Sequence, residues 1–246
     1  MPPLPAFVPR LVAWVRRSGR LEVVLLLAIL VAVAGIWTFA SLAEEVVAGH
    51  TGQLDEHLLV ALRQPGNLSV PIGPPWLLQV ARDLTAFGGV VGIALVTGVV
   101  AGYLLLEGRR GLLAIVLVSV VGGTVLSLVV KHAFHRPRPN LVPYLTDIAT
   151  ASFPSGHSML SSTAYLTMAA LLARAVPGWR IKIYFLVVAV ILSALIGCSR
   201  VYLGVHYPTD VLAGWGLGSA WAILCCGVAH FLAERRIVPD AEEKAA

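Results

Sequence analysis

Six apolar runs of about 20 residues each limit most strongly how this chain of 246 residues can fold. An apolar helix of about 20 residues crosses the hydrocarbon core of a bilayer. Lipid offers no hydrogen-bond partners to the backbone, so such runs form helices and not open strands. The sequence therefore predicts an all-α protein, a polytopic membrane bundle of six transmembrane helices in a single domain over residues 1–246. The six runs cover residues 22–43, 87–106, 112–131, 156–176, 181–199 and 209–232.

The composition agrees with a membrane protein and argues against nucleic-acid binding. Only 13% of the residues are charged and the mean hydropathy is +0.84, whereas soluble domains carry about 25% charged residues. The net charge of +5 comes from short basic clusters between apolar runs, which is typical of membrane topology. No basic face with interleaved aromatic residues is present, and no obligate protein partner is indicated.

The first apolar run has two interpretations. Four arginines precede it, and Ser41-Leu42-Ala43 resembles the cleavage site of a signal peptide. The run is about 20 residues long, however, and a signal peptide core usually has about 7–15. We therefore expect a retained anchor helix.

The distribution of lysine and arginine predicts the orientation. With the N-terminus in the cytoplasm, the inner segments hold 12 of these residues and the outer segments hold 6. Because basic residues favour the cytoplasmic side, we expect both termini in the cytoplasm, at an inner or cell membrane. The segment over residues 44–86 then faces outward. Its leucines at positions 54, 58, 59 and 62 predict an amphipathic helix on the membrane surface, with Asp55, Glu56 and Arg63 on other faces. We interpret residues 44–86 as a packed cap; a lid over the site is the alternative.

Nearly all the polar chemistry lies in three segments between residues 131 and 210, which the topology places on the outer side. They are Lys131 to Pro139, Pro154-Ser155-Gly156-His157, and Ser199-Arg200 with His206 and Asp210. Convergence of distant segments on one surface is what a functional site requires.

These residue types suit a phosphoryl group. Lys131, Arg138 and Arg200 supply cations, and guanidinium groups match phosphate oxygens in pairs. Ser155 and Gly156 open a helix whose free N–H groups favour an anion. His206 precedes Asp210 by four residues, so a carboxylate can fix its tautomer and make it a nucleophile. His157 is the candidate acid and base, because an imidazole suits both roles.

The three segments resemble the signature of the PAP2 superfamily, the type 2 phosphatidic acid phosphatases or lipid phosphate phosphatases. The pattern K-x6-R-P, P-S-G-H, S-R-x5-H-x3-D is matched in order and spacing. The resemblance implies hydrolysis of lipid phosphate or diphosphate head groups through a phosphohistidine on His206, without metal or cofactor. It also implies that His157 and Asp210 are catalytic. The residues holding the phosphoryl oxygens would be Lys131, Arg138, Ser155, Gly156 and Arg200.

Several alternatives stay open at this point. His132, His135, His157 and His206 could ligate zinc, but the surrounding cations favour an anion. A phosphotransferase would use the same residues and pass the phosphoryl group to another lipid such as lipid A. Vanadium haloperoxidases share the anion site but are chiefly soluble. A scaffold or channel with a vestigial site conflicts with the complete set of catalytic residue types.

Overall fold

The computed structural model describes residues 7–146 and 151–234. Side chains are described for residues 23–146 and 151–231. Within these residues the chain forms eight helices and one short antiparallel hairpin. The elements are α1 Phe7–Ala48, α2 Gly52–Ala61, β1 Arg63–Gln64, β2 Asn67–Pro71, α3 Pro75–Ala86, α4 Val90–Leu106, α5 Arg110–Phe134, α6 Gly156–Ala175, α7 Trp179–Tyr202 and α8 Pro208–Glu234. The fold is thus mostly helical, as predicted.

Four of the described helical segments are long and apolar enough to cross a membrane. They are Val23–Ala48 of α1, Arg110–Phe134, Trp179–Tyr202 and Pro208–Phe231. Helices α3 and α4 meet at a bend of 52° and together would make a fifth span. The predicted runs at 87–106 and 156–176 correspond to α4 and α6, which do not qualify as spans on their own. The prediction of six transmembrane helices is therefore not confirmed.

Helix α6 is less apolar because neighbouring helices surround it on several sides. It packs against α5, α7 and α8. Its buried residues include the hydroxyl side chains of Ser158, Ser161, Ser162, Thr163 and Thr167. Their acceptors lie in the protein: Ser162 donates to the Ser158 carbonyl at 2.8 Å, and Thr163 donates to the Gly218 carbonyl at 3.2 Å. Contact with other helices, and not with lipid, explains why a hydropathy criterion misses this element.

Glycines let α6 and α8 approach closely. A methyl group at Gly214 would lie 2.7 Å from the Ser155 carbonyl oxygen, and one at Gly218 would overlap the Met159 carbonyl. The largest buried apolar cluster lies beside this contact, between α4, α5, α6 and α7, and includes Val116, Leu160 and Ile196. Small residues on α8 thus hold the first turn of α6 next to α8.

The segment over residues 44–86 is more structured than a single amphipathic helix. It contains the end of α1, then α2, the β1–β2 hairpin and α3. In α2 the exposed face carries Leu54 at 62% and Leu58 at 42%, while Asp55 is fully buried and Arg63 just beyond it is 3% exposed. The charged side chains at 55 and 63 therefore face the protein, which the leucine spacing alone did not indicate.

Candidate active site

Four helix ends meet at the end of the bundle that the cap covers: the last turns of α5 and α7 and the first turns of α6 and α8. A backbone hydrogen bond from the Ser155 N–H to the Asp210 carbonyl, 2.9 Å long, joins the starts of α6 and α8. The Leu145 N–H bonds the Leu203 carbonyl at 3.0 Å and ties the loop after α5 to the loop after α7. The three predicted segments are thus brought together at one place.

The start of α6 has the geometry of an anion-binding helix terminus. Ser155 is the N-cap and is fully buried, and its Oγ accepts hydrogen bonds from the N–H and the hydroxyl of Ser158 at 3.4 and 3.0 Å. The first N–H groups of a helix have no partner within it. At Gly156 an added methyl group would sit 3.4 Å from Cε of Lys131, so glycine keeps the lysine and the helix terminus close together.

Lys131 and Arg200 are both buried cations. Lys131, 7% exposed, donates from Nζ to the Ala151 carbonyl at 2.7 Å. Arg200, 4% exposed, donates from Nη1 to Oγ1 of Thr85 at 2.9 Å. Among the residues that the structure describes, none accepts a hydrogen bond from Nε of Arg200. Since an unsatisfied buried donor is costly, this nitrogen is suited to an anion in the site.

Arg138 and His206 are in direct contact. Nη1 of Arg138 donates to the Val205 carbonyl at 2.6 Å and lies 3.3 Å from Nε2 of His206. Nδ1 of His206 lies 3.3 Å from Oδ2 of Asp210. A spacing of four residues would place His206 and Asp210 on one turn of a helix, but α8 begins only at Pro208. His206 therefore lies in the preceding loop and still reaches the carboxylate.

The catalytic carboxylate predicted at position 210 is fully buried and heavily hydrogen-bonded. Its Oδ2 accepts from the hydroxyl of Ser152 at 2.5 Å and from the N–H of Tyr207 at 2.9 Å, in addition to His206. Its Oδ1 accepts from Nη1 of Arg136 at 2.7 Å. Such bonds favour the charged form of a carboxylate and fix its position relative to the imidazole.

Electrostatics in the loops favour a neutral imidazole among cations. Burial lowers the pKa of His206 to about 3, against the opposing hydrogen bond and charge of Asp210. Burial also lowers the pKa of Arg138, opposed by the charge of Asp210. A neutral His206 keeps a lone pair on Nε2, which a nucleophile requires.

His157 lies next to the bend between α3 and α4. Its ring nitrogen Nε2 would be 3.5 Å from a methyl group at Gly89, and its Cδ2 would be 3.4 Å from one at Gly88. Its imidazole experiences the charges of Arg200, Lys131 and Arg138. The structure thus brings all eight predicted site residues into one cluster.

Three further residues of this cluster were not predicted to act there. They are Ser152, Arg136 and Asp55, all within the hydrogen-bond network of Asp210. The motifs assign no role to Arg136, and the leucine spacing places Asp55 only on another face of the amphipathic helix. One signal in the sequence could have indicated Asp55. The basic residues near Asp210 outnumber its single carboxylate, so a second acidic residue is needed to balance them, and the cap supplies Asp55.

A metal ion finds no ligand set in the described part of the chain. No three His, Cys, Asp or Glu side chains there lie close enough to hold one. Nδ1 of His132 bonds the Leu128 carbonyl at 2.8 Å, and the rings of His132 and His135 are 6.4 Å apart.

Comparisons with known proteins identify the family. The sequence profile of the PAP2 superfamily matches residues 112–233. Phosphatidylglycerophosphatase B of Bacillus subtilis is 34% identical over 152 residues, which cover 61% of this chain and 74% of that protein. The chain belongs to the PAP2 superfamily. A lipid A 1-phosphatase of Rhizobium etli is 29% identical over 215 residues, covering 72% of this chain and 88% of that protein.

The PAP2 fold is also found among solved structures. A transmembrane PAP2-type phosphatidylglycerolphosphate phosphatase of Bacillus subtilis superposes with a TM-score of 0.72 at 27% identity, over 82% of this chain and 96% of that one. Together with the apolar helices, these relatives show an integral membrane protein.

Proposed function

We propose that this PAP2 protein is a lipid phosphatase that hydrolyses phosphate or diphosphate head groups through a phosphohistidine on His206. The observation that carries the proposal is the position of the His206 ring, whose Nδ1 faces Asp210 and whose Nε2 faces Arg138. An imidazole held in this way presents its lone pair where a guanidinium also binds phosphate oxygens. The names of the relatives, which are phosphatases of lipids, support the substrate class.

The reaction would proceed in two displacements. Nε2 of His206 attacks phosphorus, the bond to the leaving lipid oxygen breaks, and His157 donates a proton to that oxygen. Water then attacks the phosphohistidine and gives a proton to His157, the N–P bond breaks, and phosphate leaves. Charge on the phosphoryl oxygens would be offset by Lys131, Arg138, Arg200 and the start of α6. This would need no metal ion.

Phosphate release from four lipids tests the function. The panel is undecaprenyl diphosphate, phosphatidylglycerophosphate, phosphatidic acid and lipid A, each in mixed micelles with excess EDTA, and glycerol 3-phosphate serves as the tail-free control. We expect release from at least one lipid and little from the control. Activity that EDTA abolishes and one metal restores would contradict the metal-independent mechanism. If the phosphate of the substrate is labelled, recovery of the label on an acceptor lipid, and not as free phosphate, would instead identify a phosphotransferase.

The site is proposed to face the extracytoplasmic side of the cell or inner membrane, with both termini in the cytoplasm. The site lies at the end of the bundle opposite the α4–α5 and α6–α7 turns, and basic residues flank both of those turns. This agrees with the bias of 12 to 6. Single cysteines at Asn140 and Arg110, without the native cysteines, are labelled on intact cells with a membrane-impermeant thiol reagent. We expect labelling at position 140 only; labelling at 110 only would reverse the orientation.

A further inference from the structure

A buried chain of charges joins the cap to the catalytic centre. Asp55 on α2 is fully buried, and its Oδ2 accepts from Nη2 of Arg136 at 2.8 Å. The other terminal nitrogen of the same guanidinium, Nη1, donates to Oδ1 of Asp210 at 2.7 Å. One arginine thus bridges a carboxylate of the cap and the carboxylate that contacts His206.

Asp55 also binds the first turn of α8 directly. Its Oδ1 accepts from the Thr209 N–H at 3.1 Å, and its Oδ2 accepts from the Thr209 hydroxyl at 2.6 Å. A carboxylate at a helix N-terminus satisfies free N–H groups and interacts favourably with the helix dipole. The turn that carries Asp210 is therefore fixed from the cap.

The orientation of Arg136 is determined by further contacts. Nη1 donates to the Thr209 hydroxyl at 2.8 Å, Nη2 donates to the Thr51 hydroxyl at 3.1 Å, and the guanidinium lies 4.3 Å from the centre of the Tyr207 ring. Burial lowers the pKa of Arg136, but the charge of Asp210 and the bond to Asp55 outweigh it and hold that pKa above its usual value. Because Arg136 occupies Oδ1 of Asp210, Oδ2 is left to the imidazole, Ser152 and the Tyr207 N–H.

We propose that Asp55 and Arg136 are positioning residues for the reaction: they hold the carboxylate of Asp210 in register with His206, and they make the cap a fixed part of the catalytic centre. The inference rests on the proposed phosphatase function. It opposes the interpretation of residues 44–86 as a lid that opens, because opening would separate the buried carboxylate of Asp55 from the guanidinium of Arg136. Separating buried ion pairs in this way is strongly unfavourable.

Isosteric variants test the proposal by steady-state kinetics. The variants are Asp55→Asn and Arg136→Gln, and the matched control is Asp83→Asn, whose carboxylate in α3 is exposed and accepts from Gln79 at 2.9 Å. For groups that act through another residue, losses of about 10- to 100-fold are usual. We expect kcat to fall by this factor in D55N and R136Q while KM stays within about threefold, and D83N to match the wild type.

The pH profile separates positioning from a general loss of structure. Besides Asp55 and Arg136, the groups facing the carboxylate or the cation that holds it are His206, Arg138, Lys131 and Tyr207. The charge of Glu56 acts on Tyr207. Removing the cation in R136Q makes Asp210 easier to protonate, so the acidic limb of kcat should move up by about one pH unit. Removing the second carboxylate in D55N leaves the whole charge of Arg136 to Asp210, so that limb should move down. Arg136→Lys keeps the charge and should return the limb toward the wild-type position.

Three results would overturn the inference. They are a D55N kcat within twofold of D83N, acidic limbs that move in the same direction in D55N and R136Q, and a loss that appears in KM alone. If D55N or R136Q does not fold, Thr51→Val removes one hydrogen bond from Arg136 and keeps the ion pairs; it should lower kcat by about threefold at unchanged KM, and an unchanged kcat would contradict the proposal. A wild-type protein that releases phosphate from none of the lipids would refute the proposed function first, so the two failures are distinguishable.

Discussion

Arg136 and Arg138 lie two residues apart in one loop, yet they contact different parts of the site. Arg136 lies between two carboxylates, which hold its pKa above the usual value despite burial. Arg138 donates to a backbone carbonyl and contacts the imidazole of His206, and burial lowers its pKa. A cation between two carboxylates is suited to fixing their position, whereas a cation beside the proposed nucleophile is placed to attract the phosphoryl group. We therefore expect Arg136 to act in the alignment of Asp210 and Arg138 to act in phosphate binding.

Replacing His206, which contacts both Arg138 and the carboxylate that Arg136 holds, should have the largest effect. His206→Ala removes the proposed nucleophile, and loss of such a group from a catalytic unit costs at least about a thousandfold in kcat. The measurement is phosphate release by purified protein, with its elution as a monodisperse species as the check on folding. An H206A variant within tenfold of the wild type would mean that another group attacks phosphorus.

Replacing Arg138 should sharpen the comparison with Arg136. Arg138→Ala removes a proposed donor to the phosphoryl oxygens, so kcat/KM should fall by about 100- to 1,000-fold. Vanadate, which mimics the pentacoordinate transition state, should inhibit this variant much more weakly than it inhibits R136Q. Arg82→Ala is the control, since Arg82 is an exposed cation that donates to the Leu145 carbonyl at 3.1 Å. Equal vanadate affinities in R138A and R136Q would remove the distinction between the two arginines.

Thermal stability should show the smallest effect. The pKa of His206 is lowered to about 3 by burial, while an unfolded histidine titrates near 6.5. The unfolded chain thus binds more protons between these values, and stability is lost as the pH falls from about 6.5 toward 3, by up to about 1.4 kcal/mol per pH unit. The unfolding midpoint in detergent, measured from pH 7 to 4, should fall less steeply in His206→Gln. Parallel curves for the two proteins would show that His206 does not titrate in this window.

The sequence predicted the helices well where the signal was local. The apolar runs located α5, α7 and α8 to within a few residues, and the motif spacing identified Lys131, Arg138 and Arg200 as neighbours in space. The number of transmembrane spans was harder to predict, because α6 is rich in hydroxyl side chains and α4 is only 17 residues long. Hydropathy indicates suitability for contact with lipid. Helix α6 depends instead on contact with protein, whereas α4 is strongly apolar and exposed but short.

The chain of ion pairs from Asp55 through Arg136 to Asp210 could not be predicted from the spacing of residues. Asp55 lies 81 residues from Arg136 and 154 from Thr209, and in α2 it occupies a position where a solvated charge is the usual interpretation. Its burial follows from the folding of α2 against the start of α8. The β1–β2 hairpin escaped prediction for a similar reason, since strands this short carry little pattern.

Helix α6 places a demand on membrane insertion, because a segment rich in serine and threonine enters lipid poorly by itself. The acceptor for Thr163 is the Gly218 carbonyl, 55 residues further along the chain. During synthesis this acceptor does not exist until α8 has been made. We therefore expect α6 to reach its final position in the membrane only when α8 packs against it. The catalytic centre would then be completed in the last step of folding, and a chain truncated before α8 would be inactive.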